Sequence, residues 1–493
     1  MSLDGATASG PVVVVGGGIA GLVAAWELRL AGFDVELVEA SGRCGGPLLT
    51  GEVGGVVVDL GAESFLARRP EALDLVAELG LWGDLVHPAR STPMIHRDGV
   101  PHPLAPGTVF GVPADPALLA GVLTAEEIER AVAEVDVAWT GDVSVAEFVG
   151  QRLGEAVVER LVDPLLGGVY AGRAAALSAQ ATLPQLVVAV KAGSTLRAAV
   201  RAVTGAVGPG RAPVFGGLSG GVGRLVTSLV DRFTTAGGRV WLGEGVVCVA
   251  RERGAWSVTS RTADGGLRTR PAAGVVLATP APVAGRLLST VAPGAAAGLA
   301  GIDLAAVAVV ALAVPVDQLP VGRLPDDATS GVLVPAVEGS ARGLAVKAMT
   351  FSSAKWGWVA AQDPTLAIIR ASIGRAGEPG GAGLSDTDLV ALARRDAGVL
   401  LGVQLRVADA VVARWPGALP QYPVGHVSAM ARVSAEVDGH PGLALAGAVL
   451  AGVGIPACIA TGRAAASKVI IDLTGRASLD ELDDTSQSRF TTL

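Results

Sequence analysis

Residues 11–39 read PVVVVGGGIAGLVAAWELRLAGFDVELVE, and this stretch decides the fold. The β-branched run at 11–15 predicts a strand that is buried on both faces. The Ala- and Leu-rich run after the glycines predicts a helix that ends at Gly32, and 34–39 predicts a second strand. Strand, helix and strand make a βαβ unit, with the glycines at the turn between the first strand and the helix.

The glycine turn has the GxGxxG spacing of a dinucleotide-binding site. Gly16 permits the tight turn, Gly18 lets the backbone approach a pyrophosphate, and Gly21 lets the helix pack closely on the strand. The N–H groups at the start of the helix then face the phosphates. Glu39 ends the second strand, where its carboxylate can accept hydrogen bonds from both ribose hydroxyls. The chain holds 68 glycines, so the prediction depends on the register of strand, glycines, helix, strand and acid together.

Segments further along the chain favour FAD over NAD. The run ASGRCGG after Glu39 adds Arg43, whose guanidinium is expected near the adenosine diphosphate, and a glycine pair that lets the chain pass close to the cofactor. The alternative is a basic turn after a strand. Residues 59–64 (DLGAES) supply a further glycine approach or, alternatively, an ordinary strand end. Val247 lies in a predicted strand that is placed to cover the adenine.

Residues 445–463 (LAGAVLAGVGIPACIATGR) predict a strand, a glycine loop and a helix amino terminus. Such a terminus stabilises negative charge on a reduced flavin, although a plain core strand and helix is the alternative. The overlapping stretch 441–462 carries no charge and is long enough for a transmembrane helix. Its glycines and Pro456 favour strand, loop and helix over a membrane span.

Composition narrows the class of protein. The chain has 46 acidic and 38 basic residues and a net charge of -8, which argues against a nucleic-acid partner. Half of the residues are hydrophobic, so the chain can bury a large core. The three cysteines, Cys44, Cys248 and Cys458, are an odd number and far apart, which indicates no disulfide framework and predicts a cytoplasmic location. The start of the chain lacks the basic region of a signal peptide, and no metal site is predicted.

Six longer strings carry a resemblance to a known family. They are VVVVGGGIAGLVAAWEL, VEASGRCGG, DLGAESFLARRPEALDLVAELGL, RLVDPLLGGVYAG, ARWPGALPQYPVGH and GVGIPACIATGRAAA. Through them the chain resembles the FAD-dependent porphyrinogen oxidases, a branch of the flavin amine oxidase superfamily, over most of residues 11–472. It is most similar to the bacterial soluble type that oxidises coproporphyrinogen III. The membrane-associated protoporphyrinogen oxidases are the near alternative.

The resemblance and the motifs together predict an α/β fold with a discontinuous FAD-binding domain of the two-dinucleotide-binding, Rossmann-like type. That domain is expected at 9–85, 213–285 and 425–475. A helical insertion at 86–212 would cap the active site, residues 286–424 would form a substrate domain with a mixed sheet, and 476–493 would be a disordered tail. The predicted cofactor-binding residues are Gly16, Gly17, Gly18, Ile19, Ala20, Gly21, Glu39, Ala40, Arg43, Gly46, Pro47, Gly61, Ala62, Glu63, Ser64, Val247, Gly447, Val453, Gly454 and Ile455.

The resemblance implies an oxygen-dependent oxidase of haem biosynthesis. Removal of six electrons from a porphyrinogen gives the aromatic porphyrin, with hydride passing to flavin N5 and oxygen yielding hydrogen peroxide over three cycles. Aromaticity drives the reaction, so the protein mainly positions and shields, and no essential acid–base residue is assigned. The substrate's propionates require local cations. Candidates by their position in family-like segments are Arg68, Arg69, Arg173, Lys347 and Arg414, each with a surface position as the alternative, and Gln421 and Tyr422 would line the flavin cavity.

Three departures from the family pattern leave alternatives open. Leu450 and Ala451 stand where relatives often carry an aromatic residue and an acid, and Pro47 stands where they often carry Lys or Trp. A protoporphyrinogen IX oxidase and a non-catalytic flavin or tetrapyrrole carrier therefore stay open, as do peripheral membrane contact and hand-off to a downstream haem-pathway enzyme.

Two further motifs are set aside as decoys. Residues 217–221 match the GxSxG nucleophile elbow of hydrolases, with His426 or His440 as the conceivable base. The flavin motifs already occupy the sheet, so a hydrolase is disfavoured. His96 and His102 are expected to face solvent in a proline-rich loop and not to bind a metal.

Overall fold

The structure is a computed structural model that describes residues 10–89, 92–205, 213–319, 329–378, 381 and 383–475. The tail predicted to be disordered at 476–493 lies outside the described residues.

The described residues form strands in several sheets. The strands are β1 (Val12–Val15), β2 (Val35–Glu39), β3 (Thr50–Val53), β4 (Val56–Asp59), β5 (Phe65–Leu66), β6 (Leu85–Val86), β7 (Pro93–Arg97), β8 (Val100–Pro103), β9 (Thr108–Val109), β10 (Val112–Pro113), β11 (Phe215–Leu218), β12 (Arg239–Leu242), β13 (Gly245–Glu252), β14 (Ala255–Arg261), β15 (Leu267–Ala272), β16 (Gly274–Leu277), β17 (Leu304–Pro315), β18 (Gly331–Leu333), β19 (Val346–Phe351), β20 (Leu366–Ile373), β21 (Asp409–Pro420) and β22 (Leu443–Leu445).

Helices connect and cover these strands. They are α1 (Ile19–Leu30), α2 (Pro70–Glu78), α3 (Ala125–Val132), α4 (Val145–Leu153), α5 (Glu155–Val157), α6 (Asp163–Tyr170), α7 (Ala179–Thr182), α8 (Pro184–Lys191), α9 (Leu196–Gly205), α10 (Arg224–Thr235), α11 (Ala281–Leu288), α12 (Pro293–Ala300), α13 (Ala336–Arg342), α14 (Ser352–Lys355), α15 (Gly357–Ala360), α16 (Asp386–Leu401), α17 (His426–Asp438), α18 (Ala448–Ala451) and α19 (Ile455–Thr474).

A five-stranded parallel sheet with the order β12-β2-β1-β16-β22 forms the centre of the first lobe. Strand β1 is buried on both faces, as its β-branched run predicts. Val12 and Val14 pack against the layer of α1 and α19, while Val13 and Val15 pack against the layer that holds α11, α12 and α17. This arrangement confirms the predicted Rossmann-like α/β fold class.

A seven-stranded sheet, ordered β21-β17-β20-β19-β18-β7-β8, forms the second lobe. It is mixed, because β18 and β7 run parallel while the other neighbours are antiparallel. On β17 the side chains alternate between two cores: Val310 and Leu312 belong to the same cluster as residues of α16, and Ala311 and Ala313 pack on the opposite face beside Trp356. The alternation leaves the second face of the sheet turned toward the first lobe.

The region predicted as a helical insertion, 86–212, contains helices α3 to α9, but strands β7 and β8 also lie within it and join the seven-stranded sheet. Proline-rich sequence had indicated loops here. Pro101 and Pro103 are compatible with a strand because β8 lies at the edge of the sheet, where proline removes no ladder hydrogen bond from the interior. The expectation that His96 faces solvent is wrong, since β7 buries its side chain to 1% exposure. The other domain boundaries stay a prediction.

The uncharged stretch at 441–462 is a strand, a loop and the start of α19, as its glycines predict. Among the described residues, none of the helices combines the length and the apolar character that a membrane crossing requires.

Candidate cofactor and substrate site

The predicted cofactor residues converge on the carboxyl edge of the parallel sheet. Gly16 follows β1, Glu39 ends β2, Thr279 follows β16 and Gly447 follows β22. In open α/β sheets this edge holds the ligand. Thr279 was not predicted as a site residue, yet its hydroxyl is buried at this edge without a hydrogen-bond partner in the described structure. Its signal in the sequence was its position directly after a buried strand.

The three glycines of the GxGxxG motif are needed for different structural reasons. A Cβ on Gly16 would lie 2.6 Å from the carbonyl oxygen of Ala278, and one on Gly21 would lie 1.9 Å from the carbonyl oxygen of Gly16. Both glycines are therefore required by packing of the protein itself. A Cβ on Gly18 would meet no protein atom within 4 Å. Its space is open, which fits a bound pyrophosphate that passes close to the backbone.

Two helix amino termini at this edge lack caps. Helix α1 has Gly18 and helix α19 has Gly454 as the N-cap residue, and neither has a side-chain hydrogen bond that caps the first turn. The first N–H groups of an α-helix need acceptors from outside the helix. Because the termini also carry partial positive charge, they fit phosphate oxygens and an electron-rich flavin ring.

The Glu39 carboxylate is fixed by the backbone around it. Oε2 accepts a hydrogen bond from the Gly17 N–H at 2.7 Å, and Oε1 accepts one from the Ser41 N–H at 2.8 Å. Each carboxylate oxygen retains a further acceptor site, so ribose hydroxyls can bind without displacing these bonds. The exposed Ala40 follows it. The arrangement fits the adenosine half of FAD.

Arg43 has a different environment from the one expected. Its guanidinium donates to the carbonyl oxygens of Gly46 at 2.6 Å and Cys44 at 3.0 Å, and it lies over the Trp415 ring, 5.7 Å from the centroid. These contacts fold the 43–48 loop rather than leave the cation free for a phosphate. The loop in turn presents Gly46 and Pro47 to solvent next to Gly18.

The 59–64 segment packs against this loop and against the seven-stranded sheet. A Cβ on Gly61 would lie 1.9 Å from the carbonyl oxygen of Pro47, and the Ala62 N–H donates to that same oxygen at 3.0 Å. Trp415 donates to the Leu60 carbonyl oxygen at 3.2 Å. The segment thus lies at the junction of the two lobes, and Ser64 continues it toward β5.

Glu63 makes buried ion pairs at this junction. Its carboxylate pairs with the Lys355 ammonium and the Arg370 guanidinium, and Arg370 also donates to the Gly61 carbonyl oxygen. Burial alone would raise the pKa of Glu63, but the two cations outweigh it and lower the pKa to about 2. The side chain of Glu63 therefore holds the lobes together, while only its backbone remains for the predicted cofactor contact. Neither cation was predicted, because both are distant in sequence.

Val247 lies at an irregularity of β13. The register with β14 shifts between Val246 and Cys248, and Val247 itself is 48% exposed. A bulged residue leaves backbone groups outside the ladder. This fits the predicted contact with the adenine.

The glycine loop, defined as Gly447–Gly454, is held by side chains from outside it. The Tyr422 hydroxyl donates to the Ala448 carbonyl oxygen, and His426 Nε2 lies 2.8 Å from the Val449 carbonyl oxygen. The two rings stack with centroids 4.3 Å apart. Thr461 accepts a hydrogen bond from the Gly447 N–H at 3.0 Å. Val453 lies near the end of this loop and Ile455 begins α19, and together they complete the predicted flavin segment.

The five cationic substrate candidates separate into two groups. Arg68 is exposed, Arg69 pairs with Glu71, and Arg414 pairs with Asp386 on the exposed surface, so these three do not converge. Arg173 and Lys347 each lie near a third cation, Arg375, which was not predicted. Gln421 lies next to Tyr170 and donates a hydrogen bond to its carbonyl oxygen at 2.8 Å.

The two decoy motifs show no corresponding chemistry. The GxSxG match lies at the end of β11 and the turn before α10, while the ring of His426 is bound to Val449. His96 lies 3.2 Å from Glu338 through Nδ1. Within the part of the chain that the structure describes, no three His, Cys, Asp or Glu side chains are grouped so as to hold a metal.

Similarity to known proteins agrees with this site. The family model of flavin containing amine oxidoreductases matches residues 19–470. The coproporphyrinogen III oxidase of Mycobacterium leprae is 40% identical over 460 residues, covering 92% of this chain and 96% of that protein. The coproporphyrinogen III oxidase of Bacillus subtilis is 30% identical, covering 93% and 97%. A crystal structure from Exiguobacterium sp. 255-15, whose protein carries a provisional protoporphyrinogen oxidase name, has a TM-score of 0.80 at 28% identity, covering 94% of this chain and 99% of that one.

Gly18 and Gly21 provide a matched test of the predicted pyrophosphate site. We expect Gly18→Ala to change the free energy of unfolding of the apoprotein by less than about 0.5 kcal/mol, because its methyl group meets open space. It should weaken FAD binding about tenfold or more by blocking approach to the backbone. Gly21→Ala should instead cost about 3 kcal/mol or more of stability. Urea unfolding and FAD titration check both, and equal stability losses would contradict the assignment.

The Glu63 ion pairs predict a pH-dependent stability. Glu63→Gln leaves Lys355 and Arg370 buried without a counter-charge and should cost about 3–5 kcal/mol at pH 7. Because the folded-state pKa lies below the ordinary 4.5, the stabilisation is complete above about pH 4.5 and falls as the pH falls toward 2. Urea unfolding as a function of pH measures this. The matched control Glu71→Gln, in the more exposed pair with Arg69, should cost about 0–1 kcal/mol. Similar losses in both variants would refute the role of Glu63.

Proposed function

The chain belongs to the flavin containing amine oxidoreductase family, with FAD as its cofactor, and we propose that within this family it oxidises coproporphyrinogen III to coproporphyrin III with molecular oxygen. The observation that carries the proposal is the similarity to coproporphyrinogen III oxidases, which extends over nearly the full length of both chains.

In this proposal, the site residues bind the cofactor and the substrate and shield the reacting carbons from water. Bound FAD would accept hydride from the porphyrinogen and pass the electrons to oxygen. Ala171, Val307 and Val309 belong to a small apolar cluster. This cluster lies on the face of the second sheet that is turned toward the first lobe. Such a surface suits the body of a tetrapyrrole and excludes water from the reacting carbons. The described contacts give no group the role of a proton carrier.

The electron balance requires repeated turnover at one site. Conversion of the porphyrinogen to the porphyrin removes six hydrogen atoms, which is six electrons. Each cycle transfers two electrons, so three oxygen molecules are reduced to three molecules of hydrogen peroxide for each porphyrin formed. The peroxide-to-porphyrin ratio therefore distinguishes oxygen-dependent turnover from transfer to another acceptor.

A second candidate keeps the fold and chemistry but uses protoporphyrinogen IX. The similarity to the Exiguobacterium structure favours it, since that protein's name refers to protoporphyrinogen. The non-catalytic carrier is a further alternative and rests only on the departures at Leu450 and Ala451. We also propose a cytoplasmic location, supported by Cys44, Cys248 and Cys458, which are all unpaired.

A direct assay tests the proposal. Pure protein with bound FAD is mixed in air with anaerobically prepared coproporphyrinogen III, and porphyrin fluorescence and hydrogen peroxide are followed. We expect a rise well above autoxidation, three peroxides for each porphyrin, and a lower kcat/KM with protoporphyrinogen IX. Gly18→Ala without added FAD serves as the cofactor-poor control. A FAD-loaded protein that gives no rise above autoxidation with either substrate would refute the proposal, and a preference for protoporphyrinogen IX would favour the second candidate.

A further inference from the structure

Lys347 is a buried cation that the fold leaves without a partner. Its residue is 4% exposed and lies on β19 at the shift of register between Val346 and Ala348. Its ammonium group makes no hydrogen bond or ion pair with any of the described residues, although its carbonyl oxygen accepts one from the Val334 N–H. Removing an amine from water without a partner is costly. Such a cost is a recognised mark of a functional position.

A second buried cation, Arg375, adds to this cost. Its residue is 8% exposed, and one N–H group donates to the Val334 carbonyl oxygen at 2.8 Å. The guanidinium also lies against α6, with its Nε 3.8 Å from where a Cβ on Gly167 would be. Arg375 lowers the pKa of Lys347, in addition to the larger effect of burial. The two like charges, here called the cation pair, thus lie near each other at neighbouring strands of the second sheet, and Arg375 packs against α6.

The nearby carboxylates are already bound elsewhere. Arg173 pairs with both Glu378 and Asp163 at the more exposed end of the cluster. Glu378 raises the pKa of Lys347, but its effect is smaller than those of burial and Arg375. Arg173, Lys347 and Arg375 against Glu378 and Asp163 leave one positive charge in excess when all are ionised. The excess charge lies with the cation pair.

The cation pair is connected to the cofactor edge by a continuous series of contacts. The Ala376 N–H, next to Arg375, donates to the Ala171 carbonyl oxygen at 2.6 Å. Tyr170, one residue earlier, packs edge-on against Tyr422 with ring centroids 5.5 Å apart. Tyr422 donates to Ala448 in the glycine loop. Buried contacts of Ala171, Tyr170 and Tyr422 therefore join the pair to the glycine loop, where the flavin is predicted.

We propose that Lys347 and Arg375 bind a carboxylate of the substrate, namely a propionate side chain of the tetrapyrrole. The inference rests on the proposed function for the identity of the ligand. A carboxylate between the two cations supplies the missing counter-charge and accepts charge-assisted hydrogen bonds from both. Arg173 then has the separate role of neutralising Glu378 and Asp163, so that they do not compete for the pair.

Binding of the porphyrin product tests the pair without turnover. Fluorescence titration of the FAD-loaded protein compares coproporphyrin III with its tetramethyl ester, which lacks the carboxylates. We expect Lys347→Met to weaken binding of the free acid about tenfold or more and to leave ester binding unchanged. The matched control is Lys191→Met, since Lys191 is an exposed lysine on α8 with its ammonium over Trp139. Equal losses for acid and ester, or no loss, would overturn the proposal.

The pH dependence gives a second readout. The pKa of Lys347 is lowered to about 7, by burial first and by Arg375 second. The charged groups that act on Lys347 are Arg375 and Glu378, which follow β20. Asp163 and Arg173, from α6 and the segment after it, act on Arg375. Propionates stay ionised above pH 6, so wild-type affinity for the free acid should fall between pH 7 and 9 as Lys347 loses its proton. The dependence should disappear in Lys347→Met; its persistence there would overturn the role of Lys347.

Loss of folding, and failure of the proposed function, can each be distinguished from failure of the inference about Lys347 and Arg375. Lys347→Met replaces an unpaired buried amine by an apolar chain, so its melting temperature should be no lower than that of the wild type. Should it not fold, Arg375→Gln is tested in the same titration with the same expected difference between acid and ester. Wild-type turnover of coproporphyrinogen III with unchanged acid binding in the variants refutes the inference alone. Absence of wild-type turnover refutes the proposed function, while selective loss of acid binding would still support the cation pair.

Discussion

The structure depends on unsatisfied N–H groups at the start of α1, directly after β1. Parallel strands end at this edge, and Gly18, the N-cap residue of α1, leaves the space beside the helix terminus open. Gly16 and Gly21 are required by the protein's own packing, whereas the space at Gly18 is filled by nothing in the described chain. The first βαβ unit therefore itself forms a site that can bind an anion, at the start of its helix. The remaining cofactor segments are arranged around that site.

The second constraint is the junction of the two lobes. The 59–64 segment was predicted to contact the cofactor, and its Glu63 is paired with Lys355 and Arg370 from the second lobe. Trp415 of β21 likewise bonds to Leu60 and stacks under Arg43. Each of these contacts joins residues that are distant in sequence. A few polar contacts therefore help to set the position of the seven-stranded sheet relative to the carboxyl edge of the parallel sheet. Loss of any one of these contacts would be expected to shift the two lobes relative to each other.

These contacts also explain what the sequence predicts and what it does not. Local patterns predicted the strand, turn and helix at 11–32 and the nature of 441–462, because each is determined by neighbours in the chain. Sequence reasoning missed Arg375 and misjudged the 93–103 strands, because register between distant strands gives them their neighbours. Arg43 was predicted to place its guanidinium near the adenosine diphosphate, but its donors are taken by carbonyl oxygens that no sequence pattern reveals. The family resemblance supplied the cofactor and the class of substrate, while the partners of each side chain required the fold.

The departures from the family pattern in the glycine loop have a limited structural meaning. The loop is anchored through main-chain atoms: Tyr422 and His426 bond to the carbonyl oxygens of Ala448 and Val449, and Thr461 accepts from Gly447. None of these bonds uses the side chain of Leu450 or Ala451. The conformation of the loop is therefore determined by residues outside it, and an aromatic residue or an acid at these two positions is not needed to form it. The carrier alternative, which rests on those two residues, consequently gains no support from the geometry of the site.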